Sequence, residues 1–118
     1  HIKGSPESEY INKEKVQIKT IDIIYNKIIK DKDVVLLKID AQGFEKKILN
    51  GAKNSLKKIK GIQLEMSTEE LYKGEMLFVD MIVFLKKEGF NLFSLENGFF
   101  DNESGKLLQV DGIFFKEE

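Results

Sequence analysis

The sequence contains no cysteine, no arginine and only one proline. Without cysteine the chain has no disulfide, no thiol nucleophile and no thiolate metal ligand. All 19 basic residues are lysines, and 20 acidic residues leave a net charge of −1. Bidentate recognition of phosphate or guanine favours arginine, and this chain has no excess of positive charge. The composition therefore argues against nucleic-acid binding.

Long apolar runs and internal histidines are also missing. No apolar run approaches the roughly 20 residues that span a bilayer, and no signal peptide is recognisable. We therefore expect no membrane partner and a cytoplasmic location. The single histidine is His1, so neither a Ser-His-Asp hydrolase nor a histidine zinc site is expected. The 118 residues suffice for one domain with a hydrophobic core.

Hydrophobic periodicity separates residues 1–15 from an α/β part over residues 16–118. The first segment is polar and holds the proline, which predicts a flexible segment or linker. Val16, Ile18 and Thr20 then alternate with polar residues, a pattern that predicts a half-buried strand. Thr20 is also suited to cap a helix that follows at once.

Two strands and an intervening helix form the centre of the predicted fold. Residues 34–40 (VVLLKID) are apolar at successive positions, which is typical of an interior strand covered on both faces. A helix is predicted from Phe44 to Ile59, with its apolar residues on one arc. Gly61 ends this helix before a strand over residues 62–66. The unit is therefore a βαβ crossover with parallel strands.

The last third of the chain predicts a helix and a hairpin. The helix runs from about Glu75 to Glu88 and ends at Gly89. Residues 91–96 and 107–115 read as antiparallel strands, joined by a polar connection with two glycines. The fold class is therefore α/β, with parallel strands, flanking helices and a carboxyl-terminal antiparallel hairpin.

Acidic residues stand where an open α/β sheet binds its ligands, beyond the carboxyl ends of the parallel strands. Asp40 ends the first of these strands and can serve a ligand, a divalent ion or proton transfer, or merely accept main-chain amides. Glu45 lies within the apolar arc of the next helix, where it needs either a ligand or the amides of the first turn. Glu65 lines the same crevice or faces solvent.

The residues around Asp40 resemble a known family signature. Residues 37–45 (LKIDAQGFE) and 48–52 (ILNGA) resemble the LKIDVEGFE…VLKGA signature of FkbM-type methyltransferases. The resemblance covers about residues 16–116, and its matching segments occur in the same order as in the family. Further matching segments are residues 19–22 (KTID), 62–65 (IQLE), 84–90 (FLKKEGF) and 110–114 (VDGIF).

The resemblance implies a Rossmann-like class I sheet and methyl transfer from S-adenosylmethionine to a hydroxyl oxygen of a sugar or natural product. It implies Asp40 and Glu65 as catalytic residues, Asp40 and Gln42 as cofactor contacts, and Glu45 and Glu65 as substrate contacts. Gln42 stands where the signature has glutamate. Because an amide is neither a base nor a good ligand for a hard metal ion, we expect no metal site.

One part of the family pattern is missing from this sequence. The nine glycines are never closer than seven residues apart, so no glycine-rich turn can hold the methionine end of the cofactor. We therefore expect the carboxyl-terminal half of a methyltransferase domain, inactive and without tight cofactor binding when alone.

Two further interpretations remain open. The chain would be a non-catalytic module that forms homodimers through the edge at Val34–Ile39, or through an apolar stripe of Met76, Val79 and Val83 on the second helix. The alternative for that stripe is a deeply buried helix. The other interpretation is a small hydrolase, with a divalent-metal site formed by Asp40, Glu45 and Glu65.

Overall fold

The computed structural model of the chain describes residues 13–117, which form a mixed α/β fold with a four-stranded sheet. No helix in this described part is long and apolar enough to cross a membrane. The elements in chain order are α1 (Ile21–Ile28), β1 (Leu36–Ile39), α2 (Glu45–Asn50), a 3₁₀ turn (Ser55–Lys57), β2 (Gly61–Ser67), α3 (Phe78–Lys87), β3 (Phe90–Phe100) and β4 (Leu107–Lys116).

The sheet has the strand order β1-β2-β4-β3. β1 and β2 are parallel, whereas β4 runs antiparallel to both of its neighbours. The predicted pair of parallel strands and the predicted hairpin are thus confirmed. The last strand of the chain lies inside the sheet and sets Asp111 directly opposite Glu65.

One face of the sheet carries the core. Side chains alternate along β2, so that Ile62, Leu64 and Met66 are buried while Gln63 is exposed. Burial of such apolar side chains is the main force that holds the helices against the sheet. The other core residues are Tyr25, Ile39, Leu49, Ala52, Leu56, Ile59, Met81, Leu85, Phe90, Val110 and Phe114.

β1 lies at an edge of the sheet, and the prediction of an interior strand is wrong for the described chain. Its only strand neighbour there is β2. Leu36 is 65% exposed and Val34 is also exposed, whereas Ile39 on the other face is buried. Successive apolar residues show that both faces suit burial, but they do not show whether another element covers them.

The predicted strand at Val16–Thr20 is also wrong. Residues 13–20 form no strand, and Ile18 is 93% exposed. Alternation alone does not make a strand, because the backbone also needs a hydrogen-bonding neighbour. The predicted cap is confirmed, since the Thr20 hydroxyl accepts a hydrogen bond from the Ile23 amide at 3.3 Å. Most of the predicted flexible segment, residues 1–12, lies outside the described residues.

The helix predicted from Phe44 to Ile59 is two shorter pieces. α2 ends at Asn50, and a 3₁₀ turn follows at Ser55–Lys57. Asp22 at the start of α1 explains the break. Its carboxylate accepts hydrogen bonds from the Asn54 amide at 3.1 Å and from the Ser55 amide at 2.8 Å and hydroxyl at 2.6 Å. These bonds hold the chain away from a continuous helix.

The last helix and the hairpin differ from their predictions mainly in their ends. α3 begins at Phe78 rather than Glu75, because Glu75 organises the preceding loop. Gly89 ends the helix with a φ of +96°, as expected. Val79 and Val83 are exposed, whereas Met76 packs against the core, so the apolar stripe is only partly open to solvent.

Candidate functional site

The carboxyl ends of β1 and β2 meet at a small polar cavity of about 170 Å³, which we call the acidic cavity. Its charged lining consists of three carboxylates and one lysine: Asp40 from the end of β1, Glu65 from β2, Asp111 from β4, and Lys38 from β1. The parallel pairing of β1 with β2 brings the first two together, and the antiparallel register brings Asp111 opposite Glu65. The predicted proximity of Asp40 and Glu65 is therefore present in the structure.

Negative charge accumulates around Glu65. Burial raises the pKa of the Glu65 carboxyl, and repulsion from neighbouring carboxylates raises it further. A raised pKa makes the ionised carboxylate a stronger base, which suits a proton acceptor in catalysis. In order of effect, the neighbouring carboxylates are Asp111, Asp40, Glu45 and Glu75.

Replacing Glu65 with glutamine should stabilise the chain at neutral pH. Because the pKa of Glu65 is higher in the folded state, its favourable contribution is complete below about pH 4.5 and is lost as pH rises through the raised value. Glu65→Gln removes the repulsion and should raise the free energy of unfolding by about 0.5 kcal/mol at pH 7, a value reduced for solvent screening. Urea unfolding at pH 7 and pH 4 measures this; a gain that does not shrink at pH 4 would contradict it.

The loop after β1, residues 40–44, is held by Glu45. One carboxylate oxygen accepts a hydrogen bond from the Ala41 amide and the other from the Gly43 amide, each at 3.0 Å. Glu45 is only 7% exposed, which confirms that it lies within the apolar side of α2. The structure shows the capping role that the sequence left open. A contact between Glu45 and substrate stays a prediction.

Two residues of this loop adopt the left-handed backbone conformation. Gln42 has a φ of +47° and Gly43 a φ of +100°. Such a φ is uncommon for a residue other than glycine and occurs mainly in functional or tightly constrained turns. The exposed Gln42 side chain lines a second depression rather than the acidic cavity. The predicted contact between Gln42 and a cofactor stays a prediction.

The loop after β2 is organised by Glu75. Its carboxylate accepts hydrogen bonds from the Leu71 amide at 2.7 Å, the Tyr72 amide at 3.1 Å and the Ser67 hydroxyl at 3.0 Å. These bonds place Tyr72 against Gly43, so closely that a Cβ atom on Gly43 would lie 2.6 Å from Tyr72 Cβ. The two loops thus support each other.

Tyr72 lies near Glu65 and lines the second depression. Burial raises the pKa of its hydroxyl, and the negative charge of Glu65 raises it further. The tyrosine lines a cleft of about 460 Å³, which we call the basic cleft. Its lining residues are Ala41, Gln42, Gly43, Phe44, Lys46, Lys47, Tyr72, Lys73 and Gly74.

The structure does not form the metal site that Asp40, Glu45 and Glu65 would make in a hydrolase. Within residues 13–117 no group of three or more acidic, histidine or cysteine side chains is arranged to hold a metal ion. Both oxygens of Glu45 already accept main-chain amides.

Sequence reasoning missed Asp111, Tyr72 and Glu75 as parts of the site. Asp111 lies in a predicted strand, but its position in the site depends on the insertion of β4 beside β2. Tyr72 and Glu75 lie in a loop without hydrophobic periodicity. The one available signal was the sequence position of that loop, directly after the second parallel strand.

Comparison with known proteins gives one family match. A model of the methyltransferase FkbM domain matches residues 1–92, which include β1, β2 and both loops. No curated protein and no solved structure matches the chain.

Proposed function

This chain belongs to the methyltransferase FkbM domain family, and on that premise we propose that it serves S-adenosylmethionine-dependent methyl transfer to a hydroxyl oxygen. The acceptor is a small molecule, such as a sugar or a natural product. The observation that carries the proposal is the convergence of Asp40, Glu65 and Asp111 at the carboxyl ends of the parallel strands.

The charge of the acidic cavity suits this cofactor. S-adenosylmethionine carries its reactive methyl group on a positively charged sulfur. The three carboxylates outnumber the one lysine, Lys38, in the cavity lining, and this net negative charge favours a cation there. A volume of about 170 Å³ is below the roughly 300 Å³ at which small-molecule pockets begin. The cavity therefore fits the reacting groups rather than the whole cofactor. Asp40 would hold the cofactor in the cavity, and Gln42 would contact it from the neighbouring depression.

The carboxylates have separate tasks in the proposed reaction. When bound, the cofactor supplies an electrophilic methyl group with a neutral thioether as leaving group. Asp40 orients the acceptor hydroxyl so that its oxygen lies in line with that methyl group. Glu65 takes up the hydroxyl proton, for which its raised pKa is suited.

We further propose that the sheet is part of a Rossmann-like class I fold and that this chain supplies its acceptor-facing half. The open edge of β1, where Leu36 is largely exposed, supports this because such an edge favours pairing with another strand. The sequence has no glycine-rich turn, so the chain alone should bind the cofactor weakly and show no turnover.

Nuclear magnetic resonance of the ¹⁵N-labelled chain with millimolar S-adenosylmethionine tests the proposal. We expect the amides of Asp40, Gln42, Glu65 and Asp111 to shift, with weak affinity. Asp40→Asn should reduce these shifts because it removes one charge from the cavity.

Asp80→Asn is the matched control, since Asp80 is an exposed residue of α3 that does not line the cavity. The proposal fails if the cavity amides do not move, or if the two variants reduce the shifts equally.

The exposed apolar edge favours a second candidate function, a non-catalytic module that forms homodimers. Val34 and Leu36 are exposed along β1, and Val79 and Val83 on α3. Light scattering of the wild-type chain and of Leu36→Lys distinguishes the candidates. A dimer that Leu36→Lys dissociates supports the module, and a monomer at high concentration contradicts it.

A further inference from the structure

The basic cleft has no role in the chemistry described so far. Three of its lining residues are lysines, Lys46, Lys47 and Lys73, and none is acidic. Because the whole chain has a net charge of −1, this local excess of positive charge is not a general property of its surface. A concave, positively charged surface raises the local concentration of anions.

Two of these lysines are positioned by aromatic rings. The Lys46 ammonium lies 4.9 Å from the centre of the Phe84 ring, and the Lys47 ammonium lies 5.0 Å from the centre of the Phe44 ring. Within residues 13–117 neither of them has a carboxylate within 4 Å, since the salt bridge found there joins Lys106 to Glu69. Contact with a ring limits the motion of an ammonium group without neutralising its charge.

Neighbouring residues of one loop line the basic cleft and the acidic cavity. The loop after β1 contributes Asp40 to the acidic cavity, and Ala41, Gln42 and Gly43 to the basic cleft. Tyr72 lines the cleft, and burial and then the charge of Glu65 raise the pKa of its hydroxyl. A molecule that reaches from one depression to the other therefore passes over this loop.

We propose that the basic cleft binds an anionic group, a carboxylate or a phosphate, carried by the methyl acceptor. This inference rests on the proposed function and narrows the acceptor to a negatively charged sugar-like molecule. The lysines attract the anion and the carboxylates of the acidic cavity repel it, so only one orientation satisfies both. In that orientation the neutral hydroxyl faces Asp40 and Glu65. The aromatic surfaces of Phe44 and Tyr72 border the cleft for contact with a sugar ring.

Titration of the labelled chain with four probes tests this: glucuronate, glucose 6-phosphate, uncharged glucose and S-adenosylmethionine. We expect both charged sugars to shift the amides of Gly43 and Gly74, and glucose to leave them unchanged. A response to only one charged sugar identifies the anionic group as carboxylate or phosphate and supports the proposal. If glucose shifts these amides equally, charge does not determine binding and the proposal is wrong. It is also wrong if only the carboxylate-bearing cofactor shifts them.

Substitution of the three cleft lysines tests whether they bind the anionic group. In the triple variant Lys46→Gln, Lys47→Gln and Lys73→Gln, the dissociation constant for the charged sugars should rise about tenfold, the effect of three solvent-exposed charges. A control with the same loss of charge replaces Lys53, Lys58 and Lys87, which lie outside the cleft. Lys58 also lies over a ring, that of Tyr25 at 5.6 Å. Equal weakening in both triple variants would overturn the proposal.

The outcome is independent of the cofactor experiment. Anion binding that depends on the three lysines supports the cleft even if S-adenosylmethionine leaves the acidic cavity unchanged, in which case the proposed methyl transfer fails. Cofactor binding without anion binding leaves methyl transfer in place and removes the charged acceptor.

Discussion

Replacing Gly43 with alanine is expected to lower the free energy of unfolding by about 3 kcal/mol. Two effects contribute. The φ of +100° at this position is a left-handed conformation that disfavours any side chain, at roughly 1 to 2 kcal/mol. The added Cβ would also lie 2.6 Å from Tyr72 Cβ, so the two loops must separate. Urea unfolding measures the loss, and the amide spectrum should show movement of both loops.

Gly74→Ala is the matched control for this variant. Gly74 has a similar φ of +77°, but a Cβ atom there would meet no heavy atom within 4 Å. It should therefore cost only the conformational part, about 1 kcal/mol. In a chain that already carries Tyr72→Gly, Gly43→Ala should cost only the conformational part, because the Tyr72 side chain with which the new Cβ atom collides is gone. Equal losses in Gly43→Ala and Gly74→Ala would show that Tyr72 does not pack against Gly43.

Replacing Glu45 with glutamine should cost about 2 to 3 kcal/mol, although the side chain keeps its size. The carboxylate accepts one main-chain amide on each oxygen, and glutamine offers only one oxygen. The second amide then faces an NH₂ group in a part-buried loop. Hydrogen exchange should become faster at the amides of Ala41 and Gly43, and urea unfolding should show the loss of stability.

Glu70→Gln is the control for the number of amides that the carboxylate accepts. Glu70 accepts only the Gly74 amide, at 2.7 Å, and is exposed, so the one oxygen of glutamine can still accept that amide. We expect a loss below about 1 kcal/mol, the net value of an ordinary hydrogen bond. If Glu45→Gln costs no more than Glu70→Gln, the loop after β1 is not held by Glu45.

Elements that depend on local patterns could be predicted from the sequence, whereas those that depend on distant partners could not. The β2 strand, the cap at Thr20 and the turn at Gly89 agree with their local patterns. The edge position of β1 depends on which strands lie beside it. The position of β4 between β2 and β3 likewise depends on long-range pairing. The alternation of apolar and polar residues along one strand does not show which strands pair.

The broken helix shows the same limit from another side. The periodicity correctly placed Leu49 and Leu56 in the core. It could not show that Asp22, more than thirty residues earlier, would bind the Asn54 and Ser55 amides and break the helix. A side chain from a distant segment thus binds the amides that a continuous helix would need.

Topology alone placed part of the candidate site. Asp40 and Glu65 each follow the rule for strand ends, so their proximity could be predicted once the strands were taken as parallel. Asp111 required the register of β4, and Tyr72 required the hydrogen bonds of Glu75. The basic cleft required both loops at once, which explains why no sequence pattern indicated it.

The acidic cavity is expected to recognise the positive charge of a methyl donor. Comparison of S-adenosylmethionine with S-adenosylhomocysteine tests it directly, because the second compound lacks the methyl group and the charge on sulfur. We expect the charged compound to bind the chain about fivefold more tightly, the effect of about 1 kcal/mol of electrostatic attraction. In Asp40→Asn the ratio of the two dissociation constants should fall towards one. Equal affinity of the wild-type chain for both compounds would contradict the account.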